Sequence, residues 1–271
     1  MSSSVSVFDG IVLGLVQGLT EFLPVSSSGH LVLVRDYFAI GHVPLLFDVL
    51  LHVATLCVIV YHYRVMVLRL LMAAFRFVGK RSRPGDAEDV RLIAVVLGAT
   101  ILTVAVALTI RIGGLDNESR RSVSLSMLIT AFLLATTAWA GKVVRPTETY
   151  TWLQMLVTGI AQGFGTLAGI SRSGITLTAS LWSGMKRERA GEYTFILSIP
   201  AVLGALVLTL ADDRVPQVSV GFLPTFLGCV AAFLTGLLAL QLLLWMVKNA
   251  RLWYFSFYLA ALGLFGLFVK V

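Results

Sequence analysis

At 271 residues, with 58% hydrophobic and only 13% charged residues and a mean hydropathy of +0.90, the chain is too apolar for an ordinary water-soluble domain. Its net charge of +7 would suit nucleic acid, but the basic residues sit at the ends of apolar runs, so the bilayer is the expected partner and nucleic acid is not. Cys57 and Cys229 lie inside apolar runs without metal-ligand spacing and read as packing residues. Met1–Asp9 has no basic stretch before the first apolar run, so no cleaved leader is expected.

In chain order, the first element covers about 7–38: an apolar helix-like run, a Gly/Ser-rich break and a second short run, each too short to cross a core of about 30 Å. Such a segment is predicted to dip into the membrane and return on the same side. Full crossings follow at about 44–63, 90–110 and 122–141. Between the first two, Arg64, Arg69, Arg76 and Lys80 among apolar residues suggest an interfacial helix over anionic lipid. A second dipping segment covers about 151–184, and crossings at about 192–211, 222–246 and 252–269 complete the chain. The expected fold is an all-α integral membrane protein, a single membrane domain over residues 1–271 with six transmembrane helices and two re-entrant helix pairs.

The two dipping segments are related at an offset of 145 residues. Gly14, Gln17, Gly18, Ser26, Ser28 and Gly29 recur as Gly159, Gln162, Gly163, Ser171, Ser173 and Gly174. Each half, about 7–141 and about 151–270, then carries one dipping pair and three crossings. Three is odd, so the second copy enters inverted, a 3+3 layout that puts sites at the repeat interface. Orientation follows from charge. With the Arg64–Arg91 connection in the cytoplasm, fourteen of the 21 Lys/Arg face inward and six (Arg35, Arg111, Arg120, Arg121, Arg214, Lys270) outward, with Asp212 and Asp213 also outside. Arg172 remains at membrane depth.

The copies differ where the chemistry is. Gln17 and Glu21 are four apart and share a helix face; a carboxylate at membrane depth needs a partner or a function. Glu21 is suited to hold a hard divalent cation beside a phosphate, to carry a proton, or simply to brace the break. In Pro24-Val25-Ser26-Ser27-Ser28-Gly29-His30, Ser27 and His30 are both of nucleophile type, while the serines and glycine offer either a phosphate cradle or a helix cap. Arg172, between Ser171 and Ser173 and backed by Thr176, suits bidentate phosphate binding; the alternative is a salt bridge to Glu21. Asp48 and His52, and Glu192 in the second half, read as support for the breaks.

These residues resemble a known family, the undecaprenyl-pyrophosphate phosphatases of the bacitracin-resistance type. The resemblance covers essentially the whole chain and rests on two motifs. One is Gln17-x-x-x-Glu21 running into Pro24–His30; the other is Ala168-Gly169-Ile170-Ser171-Arg172-Ser173-Gly174-Ile175-Thr176. Ala168 stands where the motif has Pro, and Gln17 where Glu is frequent, leaving one carboxylate fewer for a cation.

The resemblance implies hydrolysis of undecaprenyl pyrophosphate to undecaprenyl phosphate and inorganic phosphate, recycling the lipid carrier of peptidoglycan and other envelope polymers. It implies a divalent cation (Mg2+ or Ca2+), held by Glu21, and a bacterial inner-membrane location with the site open to the extracytoplasmic side. The catalytic set is then Glu21, Ser27, His30 and Arg172, with Ser27 or His30 attacking and the other assisting. Gln17, Ser26, Ser28, Ser171, Ser173 and Thr176 form the binding shell. These groups are expected to line one cavity around a polyprenyl pyrophosphate; a homodimer is compatible with the sequence.

The main competitor is a carrier-lipid flippase, because broken helices in inverted repeats are typical of transporters. A second lipid-phosphatase superfamily shares Ser-Gly-His and Ser-Arg elements but needs a later histidine. Thr178 stands six residues after Arg172, and no histidine follows His62.

Overall fold

The computed structural model describes residues 5–38, 40–41, 43–115, 119–211 and 221–268. Asp212, Asp213, Arg214 and Lys270, counted above on the outer side, and Met1–Ser4 of the N-terminal stretch lie outside the described residues. Those described form eleven helices: α1 (Val7–Phe22), α2 (Ser27–Tyr37), α3 (Leu45–His62), α4 (Arg64–Val78), α5 (Asp86–Ile112), α6 (Arg120–Val143), α7 (Trp152–Phe164), α8 (Arg172–Trp182), α9 (Arg187–Ala211), α10 (Phe222–Lys248) and α11 (Tyr254–Phe268). Among them is no strand beyond an isolated bridge between Thr147 and Met185.

Five helices, α3, α5, α6, α9 and α10, are long and apolar enough to cross a membrane. The chain is a multi-pass membrane protein. The described part of the sixth expected crossing, about 252–269, is the 15-residue helix α11, and Val269 lies outside the described residues. α4 is amphipathic. Arg69 and Arg76 turn toward Asp89 and Asp86 at the start of α5, while Leu68, Leu71, Phe75 and Val78 stay exposed.

Both dipping segments are helix–corner–helix units with matched boundaries. α1 and α7 start 145 residues apart, and α2 and α8 are offset by 145 at both ends. Each opens on a capping box, Ser6 with Asp9 and Thr151 with Gln154, which satisfies backbone N–H groups that lipid could not. Their packing is also exchanged. α1 lies on α10 and α7 on α5, in both cases through glycines. A Cβ on Gly14 would sit 2.9 Å from Gly228 Cα, and one on Gly159 2.9 Å from Ala99 Cα. Without an area-driven force between apolar helices in lipid, such close backbone approach is what holds them together. Thr103 strengthens the second contact, donating to the Gly159 carbonyl at 3.1 Å and accepting from Gln162 Nε2 at 3.2 Å.

Candidate active site

α1 ends where Pro24 cannot continue it, and Glu21 therefore stands on its last turn, facing the corner. Ser26 caps α2 at φ +68°, a left-handed conformation unusual for serine, and its hydroxyl accepts from Gly29 N at 3.2 Å. The second corner reaches the same result differently. Gly169 takes the positive φ, +90°, and Ser171 caps α8 by accepting from Gly174 N at 3.1 Å. The corners touch through glycines: a Cβ on Gly29 would lie 3.3 Å from Gly169 Cα, and one on Gly174 3.2 Å from Pro24 Cβ.

That contact brings Ser27 and Arg172, each the first residue of its helix, onto one carboxylate. Arg172 donates to Glu21 Oε1. Ser27 Oγ donates to Oε2 at 2.6 Å, and Gln17 Nε2 donates to the same oxygen at 3.0 Å. His52 on α3 comes within 3.5 Å of Oε2 through Nε2, while its Nδ1 lies 2.9 Å from the Asp48 carbonyl. Asp48 pairs through its side chain with Arg35 of α2. Glu21, Ser26, Ser27, Ser28, Ser171 and Arg172 all border a cavity of about 310 Å3, as do Arg35, Asp48 and His52. A hydroxyl and a guanidinium gathered on one carboxylate can activate a nucleophile and hold a phosphoryl group.

Four expected lining residues are elsewhere. His30 borders a separate, largely apolar cavity, where Nε2 lies 2.7 Å from Tyr258 Oη, the rings stack at 5.7 Å and Nδ1 meets the Ser26 carbonyl at 2.8 Å. Helix phase explains this. With α2 starting at Ser27, residues 27, 28, 31, 32 and 35 share the cavity side, whereas 30, 33, 34 and 37 fall on the opposite stripe. Gln17 is fully buried behind Glu21; its Oε1 is buried without a partner. Ser173 turns toward the Leu23 carbonyl at 3.5 Å and Ser171 Oγ at 3.3 Å, and Thr176 is fully buried with an unpartnered hydroxyl.

Sequence reasoning underrated Asp48 and His52, whose i, i+4 spacing was the available signal, and counted Arg35 only as an outer charge. Glu192, their counterpart in the second half, borders a different cavity with Arg69 and Arg189. Among the described residues no three His, Cys, Asp or Glu side chains converge as a metal site. The Glu21 carboxylate and the Ser27 hydroxyl, which both border the cavity, are hard oxygen donors of the kind a small divalent cation takes as part of a ligand set.

The fold and this cavity define a helical membrane protein with a polar site assembled from two corners distant in sequence. The family profile described as bacitracin resistance protein BacA matches residues 10–265, and the chain belongs to that family. Among its relatives, an undecaprenyl-diphosphatase of Treponema denticola is 41% identical over 261 residues, covering 96% of each chain. One of Desulfatibacillum aliphaticivorans is 38% identical over 93% of this chain and 95% of its own. One of Borrelia recurrentis is 35% identical over 93% and 94%.

Proposed function

We propose that this protein hydrolyses undecaprenyl pyrophosphate to undecaprenyl phosphate and inorganic phosphate, returning the lipid carrier to envelope polymer synthesis. The observation that carries the reading is the Ser27–Glu21–Arg172 cluster, joined across 151 residues of sequence.

In the mechanism this supports, the terminal phosphate of the pyrophosphate draws Arg172 away from Glu21 as its fork closes on phosphate oxygens. The Glu21 carboxylate, already accepting the Ser27 proton at 2.6 Å, takes that proton as Ser27 Oγ attacks the terminal phosphorus. The bond from phosphorus to the bridging oxygen breaks and undecaprenyl phosphate departs. Glu21 passes that proton to the departing undecaprenyl phosphate; the restored carboxylate then deprotonates a water as it attacks the phosphoserine, and returns the proton to Ser27 Oγ as the Ser27 O–P bond breaks and phosphate leaves. Ser27 takes the nucleophile's part because it borders the cavity; His30 fixes the Ser26 carbonyl and so the corner that presents Ser27. A divalent cation held by Glu21 and the substrate's phosphates supplies charge neutralisation when bound.

The same reading takes the chain as an inverted 3+3 repeat with six crossings, α11 making the sixth, in the bacterial inner membrane with the cavity open to the extracytoplasmic side. The 145-residue offset of the corners and the exchanged packing of α1 on α10 and α7 on α5 support it. Phosphate release from a polyprenyl pyrophosphate by purified protein in detergent, with and without chelator, is the test. Release must occur without a second compartment, which separates hydrolysis from transport, and must fall with chelator. No release from folded protein with cation present would refute the proposal.

A further inference from the structure

We infer that Arg35 is a substrate-binding residue of the cavity, holding the lipid-side phosphate of the pyrophosphate while Arg172 holds the terminal one. This rests on the proposed phosphatase reading and assigns the second phosphate position of the same site.

A pyrophosphate has an anionic group on each side of its bridging oxygen, and negative charge grows on the second as it leaves. Of the side chains that border the cavity, the basic ones are Arg35, His52 and Arg172. Arg172 is taken by the phosphate that Ser27 attacks, so Arg35 is the guanidinium that remains. In-line displacement puts the leaving group on the side of phosphorus away from the attacking oxygen, so its binding group must stand apart from the Ser27 corner. Arg35 does. It lies on the cavity stripe of α2, eight residues beyond Ser27 and so about 12 Å along the helix axis. Helical side chains lean toward the N-terminus, which inclines the long arginine stem back toward Ser27 rather than away from it.

Arg35 also has hydrogen-bonding capacity to spare. Its Nη2 donates to Asp48 Oδ1, whereas its Nε is buried and has no partner. A guanidinium carries several N–H donors in a fixed fork, and a buried donor left unmade is costly, so the open edge is matched to an acceptor arriving from the cavity. The arrangement repeats that of Arg172, whose Nη2 donates to Glu21. Each arginine rests on a carboxylate of its own, oriented but not saturated, and a phosphate offers each a better-shaped partner. A brace between α2 and α3 explains the Asp48 contact and leaves the orphaned Nε unexplained. At the matching position of the second half stands Ser180, which is fully buried, so this guanidinium belongs to the first half alone.

The two phosphates part company in the products, and the test uses that. The lipid-side phosphate stays on the prenyl chain and the terminal one leaves free, so farnesyl phosphate probes the Arg35 position and inorganic phosphate the Arg172 position. Both are measured as competitive inhibitors of labelled phosphate release from farnesyl pyrophosphate by full-length purified protein in detergent. Arg35→Met should weaken inhibition by farnesyl phosphate roughly 10–100-fold, the loss of one charge-assisted contact, while moving inhibition by inorganic phosphate about twofold or less. Arg172→Lys should show the opposite order. Arg35→Lys keeps the ion pair with Asp48, and with it the fold, and should repeat the Arg35→Met pattern at about threefold to tenfold. Loss of a mere brace would weaken both inhibitors alike. Equal losses, no change with either inhibitor, or a larger loss for inorganic phosphate in the Arg35 variants would overturn the assignment and leave the phosphatase reading standing. Absence of phosphate release from the unsubstituted chain would remove that reading and this one with it.

Discussion

The corner between α1 and α2 and the corner between α7 and α8 share their scaffold and divide their chemistry. Each has a serine cap that accepts from the backbone N–H three residues on, and each cap lies 3.3 Å from the serine hydroxyl two residues later. At the next position, the first residue of the helix, one corner carries Ser27 and the other Arg172. Four residues after the repeated glutamine the pattern splits again. Glu21 stands in the first copy; Thr166, in the second, donates to the Gly163 carbonyl at 2.8 Å. The same geometry presents a hydroxyl and a carboxylate from one corner and a guanidinium from the other. The two corners match in their caps and helix boundaries and differ in chemistry at two or three positions.

Substitutions that alter one side of this comparison should act in a definite order. Glu21→Gln removes the acceptor shared by Ser27, Gln17 and Arg172 and leaves a partly buried guanidinium without its counter-charge. A positioned general base contributes about 10²–10⁴-fold, so phosphate release should fall by about that much and lose its cation response. If Glu21→Gln keeps its rate and its cation dependence, Glu21 is neither ligand nor base. Arg172→Lys keeps the charge but loses the planar fork, an expected loss of about 1.5–3 kcal/mol, or tenfold to hundredfold in kcat/KM. A folded Arg172→Lys protein with unaltered kcat/KM would show that charge alone suffices on that side.

Smaller changes sharpen the picture. Gln17→Glu should lower the cation concentration for half-maximal rate several-fold, on the order of 1 kcal/mol, because a second carboxylate joins the face. A cation titration of phosphate release checks this, and an unchanged midpoint would separate Gln17 from the cation. Gly14→Ala and Gly159→Ala place a methyl against facing backbone in the two halves. Each should destabilise the protein by about 1–3 kcal/mol. Thermal melts in detergent should show comparable drops; a drop in one alone would mean that the packing of the halves is not equivalent. Tyr258→Phe removes one hydroxyl from His30, worth about 0.5–1.5 kcal/mol. Activity should fall only a few-fold with the cation midpoint unmoved, and a hundredfold loss would place Tyr258 nearer the chemistry than its position suggests.

Much of this was legible in the sequence for a simple reason: polar residues in a 58% hydrophobic chain stand out, and lipid tolerates them only for cause. Glu21, Ser27 and Arg172 were found that way, and the Gly/Ser breaks located both corners. The crossings α3, α5, α6, α9 and α10 followed from apolar length. The orientation of His30 depended on a detail of phase. Only once Ser26 is the cap and Ser27 the first helical residue does His30 turn to the far stripe of α2, and a positive φ at a serine is not announced by composition. Asp48 and His52 were visible as a pair, but their approach to Glu21 is a tertiary contact between α1 and α3 that no local pattern encodes. α11 shows the limit of hydropathy: its apolar character is plain, yet its described length is 15 residues.

The claim that two corners make one site is tested most directly by a double-mutant cycle on phosphate release, pairing Glu21→Asp with Arg172→Lys. Both variants keep the sign of the charge and retract or reshape the group, so residual rates stay measurable. Residues that act as one unit are strongly non-additive. The loss in kcat/KM of the double variant should therefore fall well short of the product of the single losses, with a coupling of about 0.5–3 kcal/mol. Losses that simply multiply would mean that Glu21 and Arg172 act independently, and the composite site would not exist.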